Sequence, residues 1–400
     1  MRHLRRSCAL CVAACASLGA SLIAPQRAGR GRGFAARRAD LDRRGSSRDR
    51  DRRGSSRDPN RCGRGRVVRR ASETTERDSY LAYNVGTWRG RCRSVLIDAG
   101  RRTGSVDPQL DGRRYTAKVK KSGRDGVVEE LQFDDADEAA SSTPGTIVCD
   151  FDGSFSADHQ AHALLGGGFA PHYTAEAGLA VSDATRLRLL ASYDGATGAL
   201  ARIACLDEAR AGADEPSGGA RVAADISDVF AIAGEWIGDA TVRRPDGTAS
   251  QVLKQDLALR TDGERFYRGL TVHSFKDSAA NKFESFGEVG PPCSDFELVV
   301  FKEADAILCV LPGCYVLAPL KVNDKTFFIE SGCFVDEDDQ NGSGQLPISV
   351  RGADDDEVGP GASDSRRYLM RSTRLYARER ELASVTTSYH QLLPDGAGGD

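Results

Sequence analysis

Hydrophobic and polar side chains alternate with a period of two through most of the chain beyond about residue 80. The alternation is clearest in QVLKQDLALRT (251–261), RFYRGLTVHSF (265–275) and KTFFIESGCFV (325–335). A strand places successive side chains on opposite faces, so this pattern predicts strands with one buried face. Gly, Pro, Asp and Asn residues separate the segments and favour turns. The sequence therefore predicts many short antiparallel strands.

Helical periodicity is confined to two short segments, residues 76–85 and 226–233. Each segment directly precedes a tryptophan-containing strand segment. We therefore predict one short helix that leads into the first strand of each half of the chain.

The strand pattern is repeated. The two tryptophans of the chain lie in similar phrases, YNVGTWRGR (83–91) and FAIAGEWIGD (230–239), and they are 148 residues apart. Self-similarity at this spacing indicates a duplicated domain. We predict a first unit over 76–210, a linker over 211–224 and a second unit over 225–393.

Each unit packs several short strands into roughly 150 residues, which is typical of a barrel or a sandwich. The predicted fold class is all-β, with two such antiparallel units in tandem, and each unit is expected to carry its short N-terminal helix. If the units are barrels of about eight strands, each has a size that holds one small ligand.

Charge is segregated along the chain. Residues 1–71 hold 20 Arg, no Lys and 5 Asp, whereas the remainder holds 35 basic and 53 acidic residues. Residues 1–24 resemble a signal peptide, and residues 25–71 are rich in Arg and low in complexity, like a transit peptide or a disordered linker. This bipartite address predicts delivery to the plastid stroma, with secretion as the alternative. The Ala-, Gly-, Ser- and Cys-rich segment is a poor membrane span.

The acidic body argues against nucleic-acid binding, which needs clustered Lys and Arg. The second unit also carries an insertion, residues 336–365, that contains the acidic runs DEDD and DDDE and that the first unit lacks. Its Gly- and Ser-rich composition predicts a disordered loop rather than a cation site.

The cysteines and histidines give no metal signature. Cys309 and Cys314 have no second pair at ligand spacing, so we expect buried free thiols. His159 and His162 have a spacing that could bind a metal, but they lie in a segment that the second unit lacks. We expect a solvated loop there.

The stretch GTIVCDFDGSFS (145–156) ends an apolar run in Asp-x-Asp-Gly, as aspartyl phosphatases do. In that interpretation Asp150 would be the nucleophile. Aligning the two units places FDGSF on LPGCY, so the shared feature is a turn before a strand and the carboxylates are not shared. The helix–strand alternation of such a phosphatase is also missing. We therefore expect a turn, with the phosphatase as a remote alternative.

The order of several motifs resembles a known family. FDGSFS (151–156), EAGL (176–179) and RLRLLASYD (186–194) in the first unit, and LPGCY (311–315) and FFIESGCFV (327–335) in the second, look like an uncharacterised tandem lipocalin-like family of cyanobacteria and plastids. That family is distantly similar to the S-type phycobiliprotein lyases, which bind open-chain bilins. The resemblance covers most of residues 78–393 and implies two lipocalin-like (calycin) barrels.

In lipocalin-like barrels a tryptophan closes one end under an arginine from a late strand. The resemblance implies this structural role for Trp88 and Trp236. The candidate partners are Arg186 or Arg188 for Trp88, and Arg371 or Arg374 for Trp236. The same four arginines could instead face inward and bind carboxylates of a ligand. Period-two patterning alone leaves both orientations open.

Glu176 and Glu330 occupy equivalent positions in apolar strands, either at a strand end in water or inward, where they could bind pyrrole N–H groups. Tyr193 and Tyr376 are equivalent aromatic positions. These four residues and the four arginines make up the predicted ligand-binding set, with no catalytic residue and no required cofactor.

The function that follows is non-covalent binding of a small hydrophobic, carboxylate-bearing ligand, with a tetrapyrrole or bilin as the first candidate. Such a protein could be a carrier, or a bilin lyase that delivers its chromophore to a phycobiliprotein or another plastid acceptor. The alternative is a structural or assembly protein whose barrels are filled by their own side chains.

Overall fold

The computed structural model describes residues 76–122, 126–150, 153–159, 172–212, 221–246, 249–273, 280–291, 293, 295–322, 326–337, 366–377 and 380–393. These residues are nearly all in strands, which confirms the all-β prediction, and one helix, α1 (Glu76–Asn84), precedes the first strand. The predicted targeting segments, most of the acidic insertion and His162 lie outside the described residues. No helix in the described ranges combines the length and the apolar character needed to cross a bilayer.

The first sheet has ten strands. They are β1 (Gly86–Asp98), β2 (Thr103–Val106), β3 (Arg114–Ser122), β4 (Gly126–Phe133), β5 (Ala140–Ser142), β6 (Ile147–Cys149), β7 (Phe155–His159), β8 (His172–Ala180), β9 (Thr185–Asp194) and β10 (Leu200–Arg210). Their order is β5-β4-β3-β1-β10-β9-β8-β7-β6, with β2 paired to β1. The end strands β5 and β6 are close in sequence, and the sheet curls toward a barrel. Within the described residues β5 and β6 form no ladder with each other, so the barrel is open between them.

The second sheet has eleven strands. They are β11 (Arg221–Val222), β12 (Gly234–Arg243), β13 (Ala249–Thr261), β14 (Arg265–His273), β15 (Ala280–Val289), β16 (Glu297–Phe301), β17 (Ala306–Leu311), β18 (Cys314–Pro319), β19 (Phe327–Glu337), β20 (Arg366–Tyr376) and β21 (Leu382–Leu392). Consecutive strands from β12 to β21 pair in turn, and β21 also pairs with β12. This closes a ring that is larger than the expected eight strands, and β11 adds to β19 outside the ring.

The prediction of a second helix is wrong. Residues 226–233 form successive turns in place of a helix. The Asp228 carboxylate accepts the backbone N–H groups of Phe230 and Ala231, each at 2.9 Å. These are the contacts of a helix N-cap, but β12 already begins at Gly234, so the segment ends after one turn, in which the Ala233 N–H donates to the Phe230 carbonyl at 3.2 Å.

Three hydrophobic cores organise the two sheets. One lies inside the first sheet and includes Trp88, Tyr115 and Phe155. A second lies inside the closed barrel and includes Trp236 and Phe334. The third core joins the outward faces of both sheets, with β1 and β8–β10 on one side and β16–β21 on the other. Strands β9 and β16–β18 are buried almost throughout because both of their faces are covered.

The internal repeat is visible in the packing of an aromatic ring on a glycine. The Phe155 ring on β7 occupies the space where a Cβ atom would stand at Gly178 on β8. The Tyr315 ring on β18 occupies the same space at Gly332 on β19. A side chain larger than hydrogen at either glycine would displace the ring, so the two units share this ring-on-glycine contact.

Candidate functional site

The end of the first sheet next to helix α1 is closed by Trp88. Its indole Nε1 donates a hydrogen bond to the Asn84 carbonyl oxygen at 3.0 Å, which ties β1 to the end of the helix. The Arg186 guanidinium carbon lies 4.0 Å from the centre of the indole ring. Of the two arginines proposed for this tryptophan, Arg186 therefore makes the cation–π contact.

Arg188 lies at the centre of a buried charged cluster inside the first sheet. Its guanidinium group pairs with Glu129 on β4 (Nη2–Oε2, 2.8 Å), with Glu176 on β8 and with Glu208 on β10 (Nη1–Oε1, 3.3 Å). Burial would lower the pKa of Arg188, but the three carboxylates hold the pKa well above its ordinary value. Because β4 and β8 stand far apart in the strand order, Arg188 bridges opposite walls of the sheet.

Further side chains complete this first-sheet cluster. Arg186 donates to Glu208 and, through Nη1, to the Asn84 Oδ1 atom at 2.7 Å. The Tyr115 hydroxyl donates to Glu208 at 2.8 Å. Two guanidinium groups thus face three carboxylates, all of them nearly inaccessible to solvent.

The expectation of a solvated loop at His159 is wrong. His159 lies on β7 with only 1% of its surface exposed, and its Nε2 atom is 2.6 Å from the Glu176 Oε2 atom. It is a member of the first-sheet cluster. The described ranges contain no group of three or more His, Cys, Asp or Glu side chains placed to bind a metal ion.

The closed barrel contains a second buried cluster, built around Glu330 on β19. Its carboxylate accepts hydrogen bonds from Arg268 on β14 (2.6 Å), Arg371 on β20 (2.8 Å) and the Tyr315 hydroxyl on β18 (3.0 Å). Burial alone would raise the pKa of Glu330, but Arg268 and Arg371 lower it to about 2. Glu330 is therefore ionised at neutral pH.

His390 on β21 adjoins this closed-barrel cluster. Its Nε2 atom is 3.1 Å from the Arg371 Nη1 atom and accepts the guanidinium hydrogen bond in the neutral imidazole. Burial, together with the charge of Arg371, holds the pKa of His390 well below its ordinary value. Two positive guanidinium groups, the Glu330 carboxylate and a neutral imidazole thus lie together in this part of the described structure.

Glu176 and Arg188 in the first sheet correspond to Glu330 and Arg371 in the second. The register supports this equivalence, because Gly178 is opposite Arg188 and Gly332 is opposite Arg371. Both glutamates are buried, so of the two orientations left open for them the inward one is correct in both units.

Three members of the predicted ligand-binding set lie elsewhere. Tyr193, Arg374 and Tyr376 face the core between the two sheets, not a barrel interior. Arg374 is an odd number of positions from Arg371 on the same strand, so the two point to opposite faces. Its Nη2 atom is 2.7 Å from Asp158 on the first sheet, and its guanidinium lies over Tyr376 rather than Trp236.

Trp236 closes the ring of the second sheet in the way that Trp88 closes the first. Its Nε1 atom donates to the Ile232 carbonyl at 3.3 Å, and its ring packs on Phe334 with centroids 5.6 Å apart. The turn segment before β12 therefore takes the role that helix α1 has in the first unit.

Asp150 lies in a turn, as the repeat alignment predicts. The Gly153 N–H donates to the Asp150 carbonyl at 3.1 Å, and Gly153 and its counterpart Gly313 have φ angles of +89° and +78°. The Asp150 carboxylate is buried and pairs with Arg243 on the second sheet at 2.7 Å. The cleft beside Asp150 has a volume of about 10 Å³, which is room for about one water molecule and far too little for a phosphomonoester.

Sequence reasoning missed several charged residues of the two clusters, namely Glu129, Glu208, Arg268 and His390. Arg268 carried a usable signal, because period two places it on the same face as Phe266, Leu270 and Val272. A charged residue on an otherwise apolar strand face marks a buried ion pair more often than an exposed group.

Comparisons with known proteins add a fold likeness. No protein-family model matches the chain, and no curated protein matches it. A solved structure of a protein of unknown function from the DUF3598 family of the cyanobacterium Nostoc punctiforme is similar, with a TM-score of 0.51, 18% identity, and coverage of 79% of this chain and 98% of that chain. Transferrin binding protein B of Neisseria meningitidis aligns with a TM-score of 0.20 and 8% identity over 77% of this chain and 76% of that chain, which carries no argument. The first likeness shows that the chain has the tandem-barrel fold of that cyanobacterial protein.

Replacing Arg188 with Met should destabilise the protein strongly. The substitution leaves Glu129, Glu176 and Glu208 buried without their shared cation, and breaking a buried pair in this way costs about 3–5 kcal/mol. Denaturant unfolding followed by tryptophan fluorescence measures the loss. The control is Arg101→Met, where the side chain is 85% exposed and pairs only with Asp98, so the change should stay below about 0.5 kcal/mol. Equal effects of the two substitutions would contradict the account.

Glu330 should make stability depend on pH in the acid range. Its pKa is about 2 in the folded protein and lies near the ordinary value of 4.5 in the unfolded chain. The stabilisation is therefore fully present above pH 4.5 and is lost as the pH falls toward 2, by about 3 kcal/mol. Unfolding free energies measured from pH 6 to pH 2 should fall more steeply for the natural protein than for Glu330→Gln. Parallel curves would show that Glu330 does not titrate as described.

Proposed function

We propose that the closed barrel of the second unit binds a small, largely hydrophobic ligand that carries a carboxylate or a similar anionic group. The observation that carries this proposal is the buried Arg371 guanidinium of the closed-barrel cluster. Arg268 and Arg371 both donate to Glu330, and His390 beside Arg371 is neutral. A buried guanidinium group is costly unless opposite charge and hydrogen bonds compensate it, and an anion that enters the barrel adds that compensation.

A free hydrogen-bond donor supports the same assignment. The Nε atom of Arg371 is buried and has no hydrogen-bond partner among the described residues. An unsatisfied buried donor costs about 1–3 kcal/mol, more when the group is charged. A ligand oxyanion is the complement of such a donor, because guanidinium groups bind carboxylates through two parallel N–H bonds.

The wall around this cluster is hydrophobic. Phe266, Phe283, Leu308 and Phe334 belong to the core inside the closed barrel, so the polar group of a ligand would be surrounded by an apolar body. Ligand sites of this kind combine hydrophobic lining with a few placed polar groups. The chemistry fits an amphipathic acid.

A bilin or another tetrapyrrole, which joins an extended apolar ring system to propionate groups, is our first candidate within that class. It rests on the sequence resemblance to the tandem lipocalin-like proteins and bilin lyases. The proposed role is that of a chromophore carrier or a lyase that hands its ligand to a phycobiliprotein or another acceptor. The proposed location is the plastid stroma after removal of the N-terminal address, with secretion as the alternative.

The first unit favours a second, structural role. Arg188 spans the interior from β8 to β4. Arg188, Arg186 and Tyr115 all donate hydrogen bonds to the Glu208 carboxylate. These side chains occupy the volume in which a ligand would lie. We propose that the first unit supports the second through the shared core and binds no ligand itself.

Binding of biliverdin to the full chain tests the proposal. We expect saturable quenching of tryptophan fluorescence by biliverdin and much weaker quenching by biliverdin dimethyl ester, because the ester lacks the carboxylates. Arg371→Gln should weaken biliverdin binding by about 10-fold to 100-fold, the value of a charged hydrogen bond. Arg260→Gln is the control, since Arg260 lies on β13 in an exposed pair with Glu235 and should not matter.

Two results would contradict the proposal. Equal binding of the acid and its ester would show that the carboxylate is not recognised. No binding of biliverdin, together with a cooperative thermal unfolding transition, would favour the structural protein with both barrels filled by their own side chains.

A further inference from the structure

One cysteine of the first sheet lies next to one cysteine of the second sheet in the core between the sheets. Cys205 is on β10 of the first sheet, and Cys314 begins β18 of the second sheet. Their sulfur atoms are 3.6 Å apart, and both residues are fully buried. Both side chains point out of their own sheet into this shared core, and this brings the two thiols together.

We propose that Cys205 and Cys314 form a disulfide that joins the two sheets covalently when the chain folds in the presence of a small disulfide such as glutathione disulfide. A bonded pair needs sulfur atoms about 2.05 Å apart, so the thiols must approach by roughly 1.5 Å. Rotation about the side-chain bonds supplies a movement of this size without separating the strands.

The reaction is a thiol–disulfide exchange in two steps. A thiolate of one cysteine attacks glutathione disulfide, which forms a mixed disulfide and releases one glutathione thiolate. The thiolate of the second cysteine then attacks the protein sulfur of the mixed disulfide and releases the second glutathione. Two cysteine thiols are thereby oxidised to one disulfide, and one glutathione disulfide is reduced to two glutathione molecules.

The bond forms while the two sheets are docking rather than in the finished fold. In the folded protein the contact with Cys205 and burial raise the pKa of the Cys314 thiol, and the nearby Arg93 only partly opposes them. Thiolate is therefore scarce once the core has closed. Arg93 on the first sheet donates to the Pro312 carbonyl at 2.7 Å, and this contact guides the turn that carries Cys314 toward Cys205.

Two other thiols compete for the same partners. Cys333 on β19 is directly opposite Cys314 in the strand register, and Cys309 on β17 lies near Cys205, which adds to the effect of burial in raising the pKa of the Cys309 thiol. A bond between Cys314 and Cys333 would stay within the second sheet. The position of the disulfide therefore decides whether the sheets are joined.

Peptide mapping of the full chain tests the proposal. The chain is unfolded in reductant, refolded in a mixture of reduced and oxidised glutathione, alkylated with iodoacetamide and digested with trypsin. Cleavage after Lys and Arg gives peptides 203–210, with Cys205, and 303–321, with Cys309 and Cys314. We expect these two peptides to be linked, with fragmentation that assigns the bond to Cys314.

A thermal measurement accompanies the map. The crosslink closes a loop of 109 residues and should raise the Tm of the refolded protein by roughly 10 °C relative to the reduced protein. Cys149→Ala, which removes another buried cysteine of the first sheet, should keep the linked peptide and the Tm increase. Cys205→Ala should lose both.

Recovery of Cys205 in alkylated form, or of Cys314 bonded to Cys333, would overturn the proposal. The map of the natural chain gives this answer by itself if the Cys205→Ala variant does not fold. Binding of a ligand to the closed barrel is not involved in either outcome.

Discussion

Pairing between fully buried guanidinium and carboxylate groups is the interaction on which both sheets depend. An ion inside a protein costs several kcal/mol unless an opposite charge and further hydrogen bonds compensate it. Arg188 meets this condition with three glutamates, and Glu330 meets it with Arg268, Arg371 and the Tyr315 hydroxyl. Each cluster includes one pair from strands that are distant in the sheet order, Arg188 with Glu129 and Arg268 with Glu330. These pairs connect opposite walls of the curved sheets, and the apolar residues fill the space around them.

The same arrangement has different consequences in the two units. In the first sheet two guanidinium groups meet three glutamates, and the charged side chains cross the interior. In the closed barrel two guanidinium groups pair with one glutamate. The equivalent Glu–Arg pairs, Glu176 with Arg188 and Glu330 with Arg371, thus have different neighbours. We propose that this difference separates a unit that supports the fold from one that receives an anion.

The two units are also joined by a shared core, which is where sequence reasoning reached its limit. Period two predicted the strands and the repeat, because strand geometry alone determines that pattern. It could not tell Arg371 from Arg374, since a shift of one position reverses the face. The continuous apolar runs of β17 and β18 indicate that both faces are covered, but they do not say which element covers the second face.

Ion-pair partners on distant strands could not be predicted from the sequence either. Glu129 approaches Arg188 only because the first sheet curls, and Arg268 approaches Glu330 only because the second sheet closes. Neither closure has a local signature in the sequence. At Asp228 the local signal was present, since its carboxylate makes the contacts of a helix N-cap, but the start of β12 at Gly234 limits the segment to a turn.

The central claim is that the buried Arg371 guanidinium inside the closed barrel binds an anion. A crystal structure of the full chain grown with bromide and measured at the bromine absorption edge tests it most directly. The account predicts an anomalous peak inside the closed barrel beside the Nε atom of Arg371 and none beside Arg188. Peaks at surface arginines with none inside the closed barrel, or an equal peak beside Arg188, would contradict it.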